Sequence, residues 1–514
     1  MARGRPDGLM RTFHSAIQAV ETYSPAEEAF NTRRRTIGLF LGPIVCIALL
    51  IAPLPLAAPA HRVAAILGMM IVFWVTEALP LAVTALLGPV LAVLFRVVPV
   101  RAAFAAFADP IIFVFIGSFI LAEAMFVHGV DRRIAYTALS WRFVGTSAMR
   151  ILITFGAVTT ILSMWMSNTA TTAMMFPIGL SIVAHLARSG MEGARQFALV
   201  MMLITSFGAS IGGMATPVGT PPNLIGVGML EKLAGVDITF FQWMLLGVPA
   251  MMLMFGLIVL QFYFAGARHA RVDATSTQIV RDELEKLGSV SRGQRNVLVA
   301  FGITVLLWVA PGVFAIAGVD DTAFARGFAQ AVPESVAAML GALLLFVLPV
   351  NWTGRSFTLT WEQALKIDWG VILLFGGGLA MGELAFSTGL AEALGKGITA
   401  WLPSQTTVAL TMLFTGAAIV LSEATSNTAA ANMIVPIAIA VSQAAGVPPL
   451  QPALGATLGA SMGFMMPVST PPNAIVYSSG FIPITSMMKY GILLDVAGFI
   501  IIVGLVLGLG PLVF

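Results

Sequence analysis

The chain of 514 residues is 58% hydrophobic and only 10% charged, and its formal net charge is +3. Soluble domains carry about 25% charged residues, so this composition excludes a water-soluble globular protein. The basic residues form no patch of the kind that binds nucleic acid, and the five histidines share no motif with a carboxylate or cysteine. Because the sequence holds no metal-ligand cluster, nucleophile–base pair or phosphate loop, we do not expect an enzyme.

Hydrophobic runs long enough to cross a bilayer, roughly 20 residues each, recur along the chain. The first three are Thr36–Pro55, Val63–Pro80 and Leu81–Val98. Because these runs are continuously apolar and do not alternate, they predict helices and not the strands of a barrel. The sequence therefore predicts an all-α polytopic membrane protein with about 11 transmembrane helices. The single cysteine, Cys46, lies inside the first run, where we expect it to face lipid.

Two polar segments predict the orientation of the chain. Residues 1–35 end in Arg33–Arg35, directly before the first hydrophobic run, and basic residues mark the cytoplasmic side of a span. We therefore expect a cytoplasmic N-terminal segment and a multi-pass protein of the bacterial-type cytoplasmic (inner) membrane. Residues 267–296 carry six basic residues, so we expect a cytoplasmic linker there. This linker would separate a first repeat, 36–266, from a second, 297–514.

An internal repeat supports this division. The motif Ser-Asn-Thr-Ala at Ser167–Ala170 recurs 259 positions later (426 − 167) at Ser426–Ala429. The same offset relates three further pairs, which are Pro177 and Pro436, Gly117 and Gly376, and Asp109 and Asp368. A second motif, Thr-Pro-Pro-Asn at Thr220–Asn223, recurs 250 positions later (470 − 220) at Thr470–Asn473. A duplication at fixed offsets predicts that the two halves share one fold.

Each Ser-Asn-Thr motif lies in the middle of an apolar run of about 30 residues, twice the length of a half-membrane helix. This placement predicts two re-entrant hairpins, an inward one at about 151–185 and an outward one at about 406–442. A proline pair interrupts helical geometry, so we also expect two broken helices, with loops at 216–223 and 466–473. Counting crossings from a cytoplasmic start places the hairpins on opposite sides, which is the inverted-topology repeat of many secondary transporters.

The hairpin tips and broken helices create helix ends inside the membrane. The positive N-terminal ends favour carboxylates, and freed carbonyls and hydroxyls suit Na⁺. No lysine or arginine lies within either pair of motifs, so a dianion would need amides, hydroxyls and co-bound cations to hold it. An isolated Ser-Asn-Thr motif is more often a hydrogen-bonding contact between helices, and a Pro-Pro pair is usually a kink. Because the Ser-Asn-Thr motif and the proline pair are both duplicated at matched positions, we favour a binding site over these two structural explanations.

These motifs resemble the divalent anion/sodium symporter family of dicarboxylate and citrate transporters. The resemblance also covers Trp74–Pro80, Ser461–Phe464 and Asn473–Val476. It implies a homodimer and an elevator-type transporter. It also implies a first sodium site at Ser163, Ser167, Asn168 and Gly219, and a second at Ser422, Thr425, Asn427 and Ser469. The residues implied to bind the substrate carboxylates are Ser167, Asn168, Thr169, Thr220, Ser426, Asn427, Thr428, Thr470 and Pro471.

We therefore expect sodium-coupled secondary transport of small di- or tricarboxylates, of the succinate, fumarate and malate type, across the cytoplasmic membrane by alternating access. Sodium is the coupling ion, and no other cofactor is expected. A sodium-independent dicarboxylate exchanger, a sulfate transporter and, in a different class, an anion channel remain alternatives.

Glu423 lies three residues before Ser426, where an ionised carboxylate costs at least roughly 3 kcal/mol unless it is paired or hydrated. It is either a proton- or cation-sensitive group near the second sodium site or, as we favour, a carboxylate hydrogen-bonded to the hairpin backbone.

Overall fold

The computed structural model describes residues 25–145, 147–188, 194–265 and 274–514. Most of the predicted cytoplasmic segment 1–35 and the beginning of the predicted linker 267–296 lie outside the described residues. The linker's described part contains a helix and the start of the next hydrophobic run.

The first half of the described chain is helical. Its elements are α1 (Pro25–Ile51), α2 (Ala58–Thr76), α3 (Leu81–Leu94), α4 (Val100–Ala103), a 3₁₀ turn (Ala105–Ala108), α5 (Pro110–His128), α6 (Val130–Leu139), α7 (Ala148–Ser163), α8 (Asn168–Arg188), α9 (Ala194–Gly213), α10 (Pro221–Ala234) and α11 (Phe240–Phe264).

The second half repeats this character and adds one small hairpin of strands. Its helices are α12 (Ala274–Lys286), α13 (Arg292–Ile316), α14 (Ala323–Ala331), α15 (Glu334–Val347), α16 (Trp361–Ala364), α17 (Trp369–Ser387), α18 (Leu390–Thr399), α19 (Thr407–Ala424), α20 (Asn427–Ala444), α21 (Leu450–Gly459), α22 (Pro471–Tyr477), α23 (Ile484–Gly508) and α24 (Gly510–Val513). The strands β1 (Pro349–Asn351) and β2 (Ser356–Phe357) pair antiparallel between α15 and α16.

Helices that could cross a bilayer dominate the described residues. Nine are long and apolar enough to do so, and a tenth span results if the bent pair α14 and α15 is counted as one. The helices α3 and α7 are apolar but shorter. The prediction of an all-α polytopic membrane protein is therefore confirmed, whereas the number of about 11 crossings stays a prediction.

The position of Cys46 differs from the expectation. Its side chain is only 6% exposed and packs with Ala65, Met69 and Phe73, so it lies between α1 and α2 and not against lipid. One stripe of α1 faces α2, and Cys46 falls on that stripe, while Ile44 and other residues of the helix point outward. A uniformly apolar run contains no polar face from which the buried side could be read.

Helices end or begin at each repeated motif. The helices α7 and α8 meet at Ser167 and pack against each other, and α19 and α20 do the same at Ser426. The helix α9 ends at Gly213 before α10 begins at Pro221, and α21 ends at Gly459 before α22 begins at Pro471. A proline at the first helical position loses no intrahelical bond, and its fixed φ suits the helix. The two proline pairs thus start helices at their motifs.

The two halves pack across each other at these motifs. The helix α10, which follows the first Thr-Pro-Pro-Asn, packs against α20 of the second half. The helix α22, which follows the second, packs against α8 and α9 of the first half. This exchange brings the repeated motifs of the two halves into one region of the molecule.

Candidate functional site

Four of the described helices have their N-terminal ends at the repeated motifs. The helices α8 and α20 begin at the asparagines of Ser-Asn-Thr, and α10 and α22 begin at the first prolines of Thr-Pro-Pro-Asn. The first amide groups of a helix have no intrahelical acceptor and carry its positive dipole end. Among the described residues, no side-chain cap is formed by Thr220 or Ser426. The first turn of α20 therefore keeps amide donors for an anion. The helix α10 begins with two prolines, which have no amide hydrogen, and the Asn223 amide donates to the Thr220 carbonyl, so α10 offers only its dipole end.

At the first hairpin tip, two side-chain oxygens lie next to each other. The Ser163 hydroxyl donates to Oδ1 of Asn168 over 2.9 Å. Ser163 is fully buried, whereas Asn168 is half-buried. A Cβ at Gly213 would lie 2.3 Å from the same Oδ1, so the loop after α9 closes over it. This side of the tip presents neutral oxygens, which are ligands that suit Na⁺.

Gly219 completes this arrangement by lacking a side chain. A Cβ at this position would lie 2.6 Å from the carbonyl oxygen of Gly213 and 2.9 Å from that of Met164. The Met164 carbonyl also accepts a hydrogen bond of 2.5 Å from the Thr216 hydroxyl. The first loop therefore holds several backbone carbonyls around a position that only glycine can occupy.

The second hairpin tip repeats the oxygen pair. Ser422 Oγ lies 2.7 Å from Asn427 Oδ1 and 2.8 Å from the carbonyl oxygen of Ala460. A Cβ at Gly463 would lie 3.0 Å from Asn427 Oδ1, which places this loop over its tip as Gly213 does in the first half. Two separate clusters of neutral oxygens thus result from one repeated motif.

Two residues of the predicted second sodium site direct their hydroxyls elsewhere. Thr425 Oγ1 donates to the carbonyl of Trp74 in α2 over 3.2 Å. Ser469 Oγ donates to Oε2 of Glu423 over 2.6 Å. The structure brings Ser422 and Asn427 together, whereas the hydroxyls of Thr425 and Ser469 donate their hydrogens to Trp74 and Glu423. A hydroxyl that donates keeps its lone pairs, so either the hydroxyl or the backbone carbonyl of these two residues is available as a ligand.

The asparagines of the two Thr-Pro-Pro-Asn motifs fasten the loops that precede them. Asn223 Nδ2 donates to the carbonyls of Gly213 and Thr216 over 2.9 and 2.8 Å. Asn473 Nδ2 donates to the carbonyls of Gly463 and Met466, both over 3.0 Å. Each acceptor in the second half lies 250 positions after its counterpart in the first. Both asparagines belong to the repeated motif, and their recurrence at a fixed offset was a signal from which this shared role could have been predicted.

The predicted substrate residues differ in accessibility. Ser167, Asn168, Thr169, Ser426 and Asn427 are half-buried, and Pro471 is exposed. The threonines of the set are buried apart from Thr169; they are Thr220, Thr428 and Thr470. The half-buried tips can contact a solute directly, and the buried threonines support the tips and the helix starts.

Residues 34–514 match the family model described as the sodium:sulfate symporter transmembrane region. The chain belongs to this family, the divalent anion/sodium symporters. The family predicted from the motifs is confirmed, and with it a transporter and not an enzyme.

Relatives of this transporter include two proteins named sodium-dependent dicarboxylate transporter SdcS. The one from Staphylococcus saprophyticus is 33% identical over 484 residues, which are 92% of this chain and 91% of the relative. The one from Staphylococcus aureus strain MRSA252 is 33% identical over 499 residues, covering 95% and 94%.

Two solved structures share the fold of this transporter. The YdaH transporter of Alcanivorax borkumensis superposes with a TM-score of 0.53 and 13% identity, covering 94% of this chain and 98% of that one. MtrF of Neisseria gonorrhoeae superposes with a TM-score of 0.50 and 11% identity, covering 95% and 96%. At these identities the likeness concerns the fold alone.

Glu423 accepts hydrogen bonds from the loop before α22. Its Oε1 accepts from the backbone amides of Phe464 and Met465 over 2.5 and 2.8 Å. Ser469 donates to Oε2, so both oxygens have donors. The bonding to backbone that we favoured is present, but its donors belong to the loop before α22 and not to the hairpin.

Asp495, in the middle of α23, was missed by the sequence analysis. Its side chain is 5% exposed, and its carboxylate interacts electrostatically with that of Glu423. An acidic residue inside an apolar run of 30 residues, Ile484–Val513, was an available signal, because ionisable residues at membrane depth are rare and usually functional.

Proposed function

We propose that this protein is a sodium-coupled secondary transporter of small di- or tricarboxylates, of the succinate, fumarate and malate type, that works by alternating access. The observation that carries the proposal is the pair of Ser–Asn oxygen clusters, each next to the N-terminal end of a helix. A helix start attracts a carboxylate and the neutral oxygens attract Na⁺, so each tip suits one carboxylate and one cation. The relatives named sodium-dependent dicarboxylate transporters support the same assignment.

The substrate would bind between the two tips. Each carboxylate of a dianion would accept hydrogen bonds from one Ser-Asn-Thr tip and from the helix start behind it. The residues proposed for this role are Ser167, Asn168, Thr169, Thr220, Ser426, Asn427, Thr428, Thr470 and Pro471. Since neither motif pair contains lysine or arginine, bound sodium would supply the positive charge.

The two sodium sites would use the oxygen clusters beside the tips. The first consists of Ser163, Ser167, Asn168 and Gly219, and the second of Ser422, Thr425, Asn427 and Ser469. In the second site Thr425 and Ser469 would contribute a backbone carbonyl or a hydroxyl oxygen, since a hydroxyl that donates to Trp74 or Glu423 keeps its lone pairs. Both sites would then hold Na⁺ with uncharged oxygen ligands and without a carboxylate.

The transport cycle would follow from the repeat. We propose that residues 36–266 and 297–514 form two repeats of inverted topology, with hairpins entering from opposite sides, an elevator movement and a homodimeric assembly. The exchanged packing of α10 with α20 and of α22 with α8 supports a binding region that moves as one unit. The N-terminal segment and the linker 267–296 would face the cytoplasm, as their basic residues favour.

Transport by purified protein in liposomes tests this function. We expect saturable uptake of radiolabelled succinate that requires an inward sodium gradient and stops when choline replaces sodium. Equal uptake in choline would refute the sodium coupling, and uptake that does not saturate would indicate a channel. Uptake that requires only an internal dicarboxylate would indicate an exchanger.

Sulfate is the second candidate substrate, since the matching family model is described as a sodium:sulfate symporter region. Sulfate is also a dianion, and helix starts and hydroxyls can hold it through the same donors. Competition of succinate uptake by unlabelled sulfate, fumarate, malate and citrate separates the two. Strong inhibition by fumarate and malate with none by sulfate is the expected result, and the reverse would assign the site to sulfate.

A further inference from the structure

Asp495 lies buried in the middle of the long apolar helix α23. Its side chain is 5% exposed, and the helix belongs to a stretch of 30 residues that is apolar enough to span a membrane. An ionised carboxylate at membrane depth costs at least roughly 3 kcal/mol unless it has a partner. Among the described residues, no amide or hydroxyl donor reaches either oxygen of Asp495, and the group within hydrogen-bonding reach of it is the carboxyl of Glu423.

The face of α23 that carries Asp495 packs on the loop before α22. A Cβ at Gly491 would lie 2.6 Å from the backbone of Phe464 and of Met465. A Cβ at Gly498 would lie 2.0 Å from the methyl group of Met462. Residues 491, 495 and 498 share one helix face, so Asp495 points to this loop between two close backbone approaches.

The carboxylate of Glu423 occupies the other side of the same loop. It accepts from the amides of Phe464 and Met465, and it interacts electrostatically with Asp495. In the described part of the chain, no lysine or arginine forms an ion pair with either carboxylate. Two acidic groups thus lie together at membrane depth with several acceptor positions and no countercharge.

We propose that Asp495 and Glu423 hold a small monovalent cation, Na⁺, in a site distinct from the two Ser–Asn clusters. Asp495 supplies two unused oxygens, and Glu423 supplies lone pairs that its three donors leave free. Oxygen ligands with negative charge suit a hard cation, and the cation removes the repulsion between the carboxylates. Since Ser469 bonds to Glu423, occupation of this site also fixes the loop that borders the second Ser–Asn cluster.

Sodium-dependent thermal stability tests this site without any substrate. The purified full-length protein is melted over a range of NaCl concentrations at constant ionic strength, with choline chloride as the replacement salt. Each ion that binds only the folded protein adds to the slope of Tm against the logarithm of its concentration. With three sites in the wild type, Asp495→Asn is expected to lower this slope by about one third.

A matched control removes a carboxylate elsewhere. Asp368 is exposed and caps α17 through its side chain, and asparagine is an equally good cap, so Asp368→Asn is expected to keep the wild-type slope. If Asp495→Asn yields no folded protein, Glu423→Gln is measured in the same way and is expected to lower the slope as well. An unchanged slope in the folded variant overturns the site.

The role of this cation in transport rests on the proposed function and has its own readout. In proteoliposomes, the ratio of ²²Na⁺ to labelled succinate taken up is expected to fall by one ion in Asp495→Asn. If Asp495→Asn lowers the sodium slope but the wild type transports no dicarboxylate, the proposed function fails and the site stands. If a pH gradient drives uptake in the wild type but not in Asp495→Asn, while the sodium slope is unchanged, the group carries a proton and the sodium site is refuted.

Discussion

The hydroxyl of Ser206, in the first half of the chain, donates a hydrogen bond to the side-chain oxygen of Asn473 in the second. Both residues are fully buried. The equivalent oxygen of Asn223 has no donor among the described residues. The side-chain amides of Asn223 and Asn473 therefore hold the loops 216–223 and 466–473 in the same way. Of the two side-chain oxygens, only that of Asn473 accepts a hydrogen bond from the opposite half among the described residues.

We expect Ser206→Ala to destabilise the protein by about 1–3 kcal/mol, because it leaves a buried acceptor of Asn473 without a donor. The measurement is thermal unfolding of the purified protein in detergent.

Ser210 provides the matched control. It lies one turn further along α9, is equally buried, and its hydroxyl has no partner in the described residues. Ser210→Ala should therefore leave Tm unchanged or raise it. If Ser206→Ala and Ser210→Ala lower Tm equally, the hydrogen bond between Ser206 and Asn473 does not contribute to stability.

Gly219 and Ser469 occupy equivalent positions but should respond differently to alanine. The new Cβ of Gly219→Ala would overlap the carbonyl oxygen of Gly213 at 2.6 Å, and backbone cannot move aside as a flexible side chain can. We expect this variant to lose transport almost completely and to yield less monodisperse protein in size-exclusion chromatography. Ser469→Ala introduces no clash and only removes a donor to the buried Glu423 carboxylate, so it should fold, with a loss of about 1–3 kcal/mol of stability. If Gly219→Ala is purified in wild-type yield and takes up substrate at the wild-type rate, the predicted overlap between its Cβ and the Gly213 carbonyl is wrong.

The repeat explains how much of this site the sequence could predict. Positions such as Asn168 and Asn427 recur at a fixed offset, and the proline pairs mark helix starts by chemistry that needs no tertiary information. The direction of a hydroxyl depends on what packs next to it. The bond of Thr425 to Trp74 joins residues 351 positions apart, so no local pattern predicts it.

The same reasoning covers the residues that were missed or misplaced. Asp495 approaches Glu423 only because α23 packs on the loop at Phe464. Cys46 is buried because α1 packs against α2, and a run that is apolar on all sides does not reveal which face is covered. Local breaks were predictable, whereas contacts between distant helices were not.

The serines behind the two hairpin tips should control the sodium dependence of transport. Ser163→Ala and Ser422→Ala each remove one proposed oxygen ligand without leaving a charge behind. We expect each to raise the sodium concentration for half-maximal succinate uptake about tenfold, which corresponds to about 1.4 kcal/mol. Uptake is measured at saturating succinate over a range of sodium concentrations.

A buried threonine one turn before Ser163 supplies the control. The Thr159 hydroxyl bonds over 2.8 Å only to the carbonyl of Phe155 within its own helix. Thr159→Val should therefore keep the wild-type sodium dependence. If Ser163→Ala behaves like Thr159→Val, the first sodium site does not use this hydroxyl.

Asp131 should make stability depend on pH. It lies in α6, outside the helices that qualify as membrane spans, and is 1% exposed. Burial raises the pKa of its carboxyl from 3.8 to about 6, although the Arg132 amide and charge oppose the shift. A raised pKa means that the stability gained from the neutral form is complete below the unfolded pKa of 3.8 and is lost as pH rises through about 6.

Asp131→Asn cannot ionise, so we expect it to be more stable than the wild type at pH 8, by at most about 3 kcal/mol, and equally stable near pH 4. The measurement is Tm against pH for both proteins. The exposed Asp320 supplies the control, and Asp320→Asn should follow the wild-type curve. A gain in Asp131→Asn that is equal at every pH would contradict this prediction, because the benefit would then come from packing and not from the removed charge.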